Sequence, residues 1–280
     1  MSGRIAGETH GAVGSSVRRA GAAALSGLAV YCAVLLGLWW SQESLLFHPQ
    51  PLPASHRFDM GADVHETWVD VSGARLNALH LRLPRPDGVV FFLHGNAGNL
   101  QGWFGNADFY RRAYFDLFMV DYRGFGKSSG RIESQAQLEA DVLAAWQQMA
   151  AQYAGSRRVI VGQSLGTGLA AILAAQVQPE LTVLVSPYSS MVAVASQHHP
   201  WVPGALLRYP LRTDRALPQV RGPVILLHGG RDDLLPAAHS HALQRLAPTA
   251  RMLLVDEAGH NDIDQFPNYR DALRAALQGR

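Results

Sequence analysis

The sequence predicts an α/β fold: a mostly parallel, doubly wound sheet with an antiparallel N-terminal edge, preceded by one transmembrane helix. Three observations lead to this prediction. From residue 89 onward, short apolar segments alternate with helical ones, as in a parallel sheet buried on both faces. Residues 64–71 and 75–83 instead alternate apolar and polar side chains about a Ser72-Gly73 turn, which indicates an antiparallel hairpin. Ahead of them, residues 20–40 form a stretch of 21 residues without a charge.

That apolar stretch matches a bilayer, because 21 helical residues span roughly 31 Å at about 1.5 Å per residue. Tryptophans end it, and the arginines that precede it are Arg4, Arg18 and Arg19. The positive-inside rule therefore predicts a cytoplasmic tail over residues 1–19, a membrane anchor over 20–40 and export of the rest of the chain. A cleaved signal peptide is the alternative, although its apolar region is usually shorter and no Ala-x-Ala-like site follows Trp40.

The exported part divides into a stalk and one domain. Residues 41–63 carry closely spaced prolines and predict a stalk. Residues 64–280 suffice for one catalytic α/β domain with a single large core. Within it, residues 187–222 are longer than a crossover helix requires and predict a short lid, unless they are a decorated crossover with no gating role.

Composition excludes two classes of function. The net charge is +2 and the basic residues are scattered, so no nucleic-acid partner is expected. The single cysteine, Cys32, lies inside the apolar helix, which leaves the domain without a thiol nucleophile or a disulfide framework.

The organising stretch is residues 158–175, where a β-branched strand turns into an Ala- and Leu-rich helix at Ser164. So sharp a turn requires residues without Cβ atoms two before and two after the serine, and these are Gly162 and Gly166. The pattern predicts a nucleophilic serine at a helix N-terminus, where negative charge is stabilised. A second Gly-x-Ser-x-Gly match, residues 126–130, precedes no apolar helix and is interpreted as a loop.

Three other strand ends carry candidate site residues. The glycine-rich loop 94–99 suits an oxyanion hole formed by the backbone N–H groups of Leu165 and Asn96, with Ala97 as the neighbouring alternative to Asn96 and a structural role for His94. Asp232 is the expected acid, with Asp233 as its competitor, and His260 is the expected base because it follows both Asp232 and a strand. A metal site at His260, Asp262 and Asp264 is weakly supported, because the three lie on one loop without a distant ligand.

The chain order Ser164, Asp232, His260 is that of the α/β-hydrolase fold. From about residue 64 onward, the chain resembles the α/β-hydrolase superfamily and its membrane-anchored, serine-aminopeptidase-like branch. The motifs that carry this resemblance are His-Gly-Asn-Ala-Gly-Asn at 94–99, Asp-Tyr-Arg-Gly-Phe-Gly-Lys-Ser at 121–128, Gly-Gln-Ser-Leu-Gly-Thr at 162–167, His-Gly-x-x-Asp at 228–232 and Gly-His at 259–260. The resemblance implies a Ser164 nucleophile, an Asp232 acid, a His260 base, a structural loop at 121–129, and neither a metal nor an organic cofactor.

We therefore expect a membrane-anchored serine hydrolase that cleaves carboxylic esters or thioesters through an acyl-enzyme. The expected substrate is a small or lipid-like acyl compound, with the lid residues Trp201, Leu206 and Leu207 against its acyl chain. An aminopeptidase or an acyltransferase on the same three residues is the alternative within enzymes. A catalytically silent binding protein is the alternative outside them, because a fold alone does not imply a function.

Overall fold

The computed structural model describes residues 9–247 and 250–279, with side chains from residue 18 onward. The chain forms two compact units, Met1–Gln42 and Glu43–Arg280. The first eight residues of the predicted tail, Arg4 among them, lie outside the described part, as do residues 248, 249 and 280 of the predicted domain.

The first unit is dominated by helix α1, Thr9–Trp40. Its segment Arg18–Trp40 has a mean hydropathy of 2.0 and is long and apolar enough to cross a membrane. Apolar side chains such as Leu25, Val30 and Leu36 are exposed along it. A helix of this kind serves either as a membrane anchor or as a signal sequence.

The second unit is built on an eight-stranded sheet. Its strands are, in chain order, β1 Val64–Val71, β2 Ala74–Leu81, β3 Gly88–Leu93, β4 Phe115–Val120, β5 Arg157–Gln163, β6 Leu181–Val185, β7 Val224–Gly229 and β8 Ala250–Val255. Their spatial order is β1-β2-β4-β3-β5-β6-β7-β8. Strand β2 pairs antiparallel with β1 and β4, whereas all other neighbours are parallel. The predicted hairpin and parallel sheet are thus confirmed.

Helices cover both faces of this sheet. Along β3, Val89, Phe91 and Leu93 enter one hydrophobic cluster, whereas Val90 and Phe92 enter the other. The remaining helices of the chain are α2 Gln42–Leu46, α3 Leu100–Trp103, α4 Ala107–Ala113, α5 Gln135–Ala150, α6 Gly166–Val177, α7 Met191–His198, α8 Thr213–Ala216, α9 Ala238–Leu246 and α10 Pro267–Leu277. Side chains of α5, α6 and α9 belong to the first cluster, and those of α4 and α10 to the second. A sheet buried on both faces is what its continuously apolar strands predict.

The segment 41–63 differs from the predicted stalk, because from Glu43 onward it belongs to the second unit. His48–Pro49 pairs in parallel with Ala97–Gly98 as a second, two-stranded sheet. Phe47 is only 5% exposed and joins the hydrophobic core. The physical reason is that an apolar side chain and unpaired backbone groups gain more by packing on the domain than by remaining in solvent.

Candidate active site

The turn between β5 and α6 places Ser164 at the carboxyl end of the sheet. Ser164 has a left-handed backbone conformation with φ of 52°. A Cβ on Gly162 would lie 2.6 Å from the Gly166 carbonyl oxygen, and a Cβ on Gly166 would collide with the carbonyl oxygen of Leu93. Both contacts are shorter than non-bonded atoms tolerate, so the two glycines are required for this turn.

Ser164 lies in one hydrogen-bonded chain with His260 and Asp232. His260 Nδ1 is 2.7 Å from Asp232 Oδ2, and His260 Nε2 is 2.9 Å from Ser164 Oγ. Because a carboxylate only accepts hydrogen bonds, Nδ1 carries the proton and Nε2 is free to accept that of the serine hydroxyl. The arrangement can therefore remove a proton from Ser164 and leave the resulting positive charge beside a carboxylate.

The electrostatic setting of Asp232 keeps it ionised. Its side chain is fully buried, and burial alone would raise its pKa. Hydrogen bonds from the His228 and His260 side chains and from the Leu235 backbone N–H outweigh that effect, so the pKa lies well below its usual range. Asp232 is thus an acceptor throughout the neutral pH range, as a carboxylate that orients a histidine must be.

His228 also contacts Asp232, and its sequence pattern alone did not predict a role for it. Its Nε2 is 2.7 Å from the Leu235 carbonyl oxygen and 3.4 Å from Asp232 Oδ2, and its Nδ1 is 2.7 Å from Ser240 Oγ. The carbonyl accepts, so Nε2–H donates towards both oxygens. The spacing of four residues from a strand end to the acid is the signal that could have identified this partner.

Asp233, the competitor for the acid, is exposed on the same loop. Asp262 accepts a 2.7 Å hydrogen bond from the Gly259 backbone N–H and so holds the loop that carries His260. Gly229 allows that loop to approach, because a Cβ there would lie 2.4 Å from the Ala258 carbonyl oxygen. The Asp262 carboxylate therefore stabilises the loop that carries His260.

The loop 94–99 passes beside Ser164, since a Cβ on Gly95 would lie 3.6 Å from that of Ser164. The Asn96 carbonyl accepts a 2.8 Å hydrogen bond from the His48 N–H, and its side-chain amide donates to the Leu46 carbonyl at 3.1 Å. Neither contact uses the Asn96 backbone N–H. Nor does any hydrogen bond within the described residues use the N–H of Leu165, so both donors suit an oxyanion.

The His94 side chain is fully buried beneath this loop. Its Nδ1 is 2.8 Å from the Gly95 carbonyl oxygen, and its ring stacks on Trp103 with centroids 5.8 Å apart. These contacts agree with a structural role. Ser128 of the second Gly-x-Ser-x-Gly match is likewise structural, because its hydroxyl donates to the Asp121 carbonyl and accepts from the Asn77 N–H.

The predicted lid, residues 187–222, contains α7, α8 and two 3₁₀ turns, Gly204–Leu206 and Leu217–Gln219. Trp201 is 47% exposed and packs against the edge of the His199 ring. Leu206 and Leu207 are half-buried. Contact of these three side chains with an acyl chain stays a prediction.

His239 of α9 packs against this region and is almost fully buried. Its Nδ1 is 3.0 Å from Ser189 Oγ and its Nε2 is 3.1 Å from Gln197 Oε1. Burial lowers its pKa, which favours the neutral ring. His239 therefore joins α9 to the beginning of the predicted lid.

Comparison with known proteins places this geometry in a family. A family model described as the alpha/beta hydrolase fold matches residues 88–217. The alpha/beta hydrolase domain-containing protein 17C of Xenopus tropicalis is 31% identical over 218 residues, which cover 74% of this chain and 67% of that protein. The chain belongs to the α/β-hydrolase family. An uncharacterized protein of Mycobacterium tuberculosis is 32% identical over 246 residues, covering 83% of this chain and 85% of that protein.

Solved structures agree on the α/β-hydrolase fold. An esterase of Pyrococcus furiosus superposes with a TM-score of 0.67 at 16% identity, covering 84% of this chain and 97% of that chain. The thioesterase domain from the curacin biosynthetic pathway superposes with a TM-score of 0.57 at 15% identity, covering 78% of this chain and 99% of that chain. At these identities the likeness concerns the fold.

Proposed function

We propose that this α/β-hydrolase family member is a membrane-anchored serine hydrolase that cleaves carboxylic esters or thioesters through an acyl-enzyme. The observation that carries the proposal is the hydrogen-bonded chain from Ser164 through His260 to the buried Asp232. Ser164 is the nucleophile, His260 the general base and acid, and Asp232 the residue that orients the imidazole. The esterase and thioesterase among the structural neighbours are consistent with this chemistry.

The reaction proceeds in two acyl transfers. In the first, Ser164 Oγ attacks the substrate carbonyl carbon while its proton passes to His260 Nε2, and the carbonyl oxygen becomes an oxyanion facing the N–H groups of Leu165 and Asn96. Collapse of this intermediate breaks the bond to the alcohol or thiol, which takes the proton from His260. A water molecule then gives a proton to His260 and attacks the acyl carbon. Collapse of this second intermediate breaks the bond to Ser164 Oγ, which takes the proton back from His260, and releases the acid.

The aminopeptidase alternative has less support in the lid. A peptidase of that kind needs an acidic group to hold the free α-amino end of its substrate. Asp214 is the acidic residue that the lid offers for this task, but its two carboxylate oxygens accept hydrogen bonds from Arg212 at 2.8 and 2.7 Å. A paired carboxylate is a poor site for a second cation.

An acyl substrate of amphiphilic character fits an anchored enzyme, because the second unit begins at Glu43, within three residues of the end of α1. Amphiphilic compounds concentrate at membrane surfaces. We propose that Trp201, Val202, Leu206 and Leu207 form an apolar wall for the acyl chain. The proposal for the anchor itself is that α1 spans the membrane with the N-terminus in the cytoplasm and the second unit on the exported side.

Replacing the acid tests the three-residue assignment. We expect Asp232→Asn to lower kcat for ester hydrolysis on the scale of about 10⁴, because a neutral amide neither fixes the Nδ1–H tautomer nor stabilises the imidazolium. Asp233→Asn is the matched control and should stay within about twofold, because Asp233 is exposed. A severe loss in Asp233→Asn with an active Asp232→Asn would show that the acid is misplaced by one residue.

Acyl-chain selectivity tests the substrate class. Each buried CH₂ contributes roughly 0.8 kcal/mol, so capture of half of that in the transition state should raise kcat/KM about twofold per carbon. Hydrolysis of esters from two to twelve carbons is measured beside alanine and proline arylamides. Leu207→Ala should flatten the ester profile and Leu246→Ala, an exposed leucine of α9, should not. A flat wild-type profile, or faster arylamide turnover, would reject the acyl-chain proposal.

A reporter fused after Arg280 tests the topology. The fusion should be active only on the exported side, because positive charge before the helix is retained in the cytoplasm. The double substitution Arg18→Glu, Arg19→Glu should lower the fraction of reporter that is active on the exported side. A mature protein that starts near residue 41 and is released by washing would show instead that the helix is a cleaved signal sequence.

A further inference from the structure

A backbone connection joins the loop 94–99 to the beginning of the second unit. We call residues 43–52 the strap, and within it His48–Pro49 is the partner strand of Ala97–Gly98. The His48 N–H donates to the Asn96 carbonyl at 2.8 Å, and the Gln50 N–H donates to the Gly98 carbonyl at 3.0 Å. The strap therefore binds two backbone carbonyl groups of the loop that borders Ser164.

Side chains of the loop also bind the strap. The Asn96 amide donates to the Leu46 carbonyl at 3.1 Å, and the Asn99 amide donates to the Gln50 carbonyl at 2.7 Å. Asn99 also accepts from the Gln101 N–H and so caps α3. The strap is thus tied to the loop on both sides of Ala97.

The other end of the strap is held by the lid. Glu43 accepts hydrogen bonds from Tyr209 at 2.7 Å and from Arg208 at 2.8 Å. The ring of Phe47 meets the Tyr209 ring edge-on, with centroids 5.2 Å apart, and both rings are at least 95% buried. An ion pair and a buried aromatic contact give the strap a fixed position independent of the loop.

The glycines of the loop allow its backbone more conformations than other residues would. The loop contains Gly95 and Gly98, and Gly98 has a φ of 90° that other residues rarely adopt. A backbone N–H stabilises an oxyanion only if it is correctly aimed, and displacement by about 1 Å can reduce a rate about 100-fold. The strap supplies backbone that restrains the loop, in addition to the Trp103 side chain, which donates to the Ala97 carbonyl at 2.7 Å.

We propose that the strap positions the Asn96 N–H for the oxyanion, so that residues 46–50 are positioning residues of the reaction although none touches the substrate. This inference rests on the proposed function of Ser164. It assigns a specific role in turnover to a segment whose prolines and polar residues predict only a stalk.

Removal of one backbone donor tests the proposal. His48→Pro deletes the N–H that binds the Asn96 carbonyl, and Pro49 already restricts residue 48 to extended conformations that proline tolerates. The control is Ala54→Pro, outside the strap, where proline suits the second position of the turn closed by the His56 N–H and the Pro53 carbonyl. Both variants are prepared as the full chain in detergent.

We expect His48→Pro to lower kcat for ester hydrolysis about 10- to 100-fold with little change in KM, and Ala54→Pro to retain wild-type kcat. The pH profile of kcat/KM should keep its shape in His48→Pro, because Ser164, His260 and Asp232 are untouched. Turnover is expressed per protein labelled by a fluorophosphonate at saturation, which removes any unfolded fraction from the comparison.

If His48→Pro retains wild-type kcat while wild-type hydrolysis depends on Ser164, the strap inference fails and the proposed function stands. If the wild-type protein hydrolyses no ester or thioester, both fail. Should His48→Pro not fold, Asn96→Ala tests the same point, because it keeps the backbone N–H and removes only the side-chain bond to Leu46. We expect about a tenfold lower kcat, and an unchanged kcat would overturn the inference.

Discussion

The close contact between the end of β3 and the first residue of α6, Gly166, is the constraint on which the rest of this site depends. Gly166 lies so near the Leu93 and His94 carbonyl oxygens that no Cβ fits between them. That contact lets the chain reverse from strand to helix at Ser164 and brings the loop 94–99 beside the serine. The positions of the nucleophile and of the proposed oxyanion donors therefore depend on the absence of Cβ atoms at Gly162 and Gly166.

The second requirement is a buried carboxylate that remains charged. Desolvation of Asp232 opposes ionisation, and hydrogen bonds from two histidines and from the loop 234–235 compensate for it. His228 and Ser240 complete this network outside the reacting groups. An ionised Asp232 fixes the proton on Nδ1 of His260, and this in turn frees Nε2 for the Ser164 hydroxyl. Asp232 is thus buried among these hydrogen-bond donors, whereas its neighbour Asp233 is exposed.

Much of this arrangement could be predicted from the sequence because it depends on local rules. Strand periodicity gave the hairpin and the parallel sheet, and the glycine spacing gave the turn at Ser164. The strap could not be predicted in the same way, because the partners of Leu46 and Glu43 lie 50 to 166 residues away in the sequence. Its prolines resemble those of a stalk, and only tertiary contact distinguishes the two. His228 differs from the strap, because Asp232 and Leu235 lie only four and seven residues after it, and its spacing from the acid was a local signal.

The central claim is that Ser164 is a nucleophile activated by His260, and a covalent adduct tests it most directly. The full chain is treated with a fluorophosphonate probe, digested and mapped by mass spectrometry. The account predicts one adduct, on the peptide that contains Ser164, and no adduct at Ser128, whose hydroxyl is held by backbone groups. An adduct at another residue, or none while ester hydrolysis proceeds, would contradict the account.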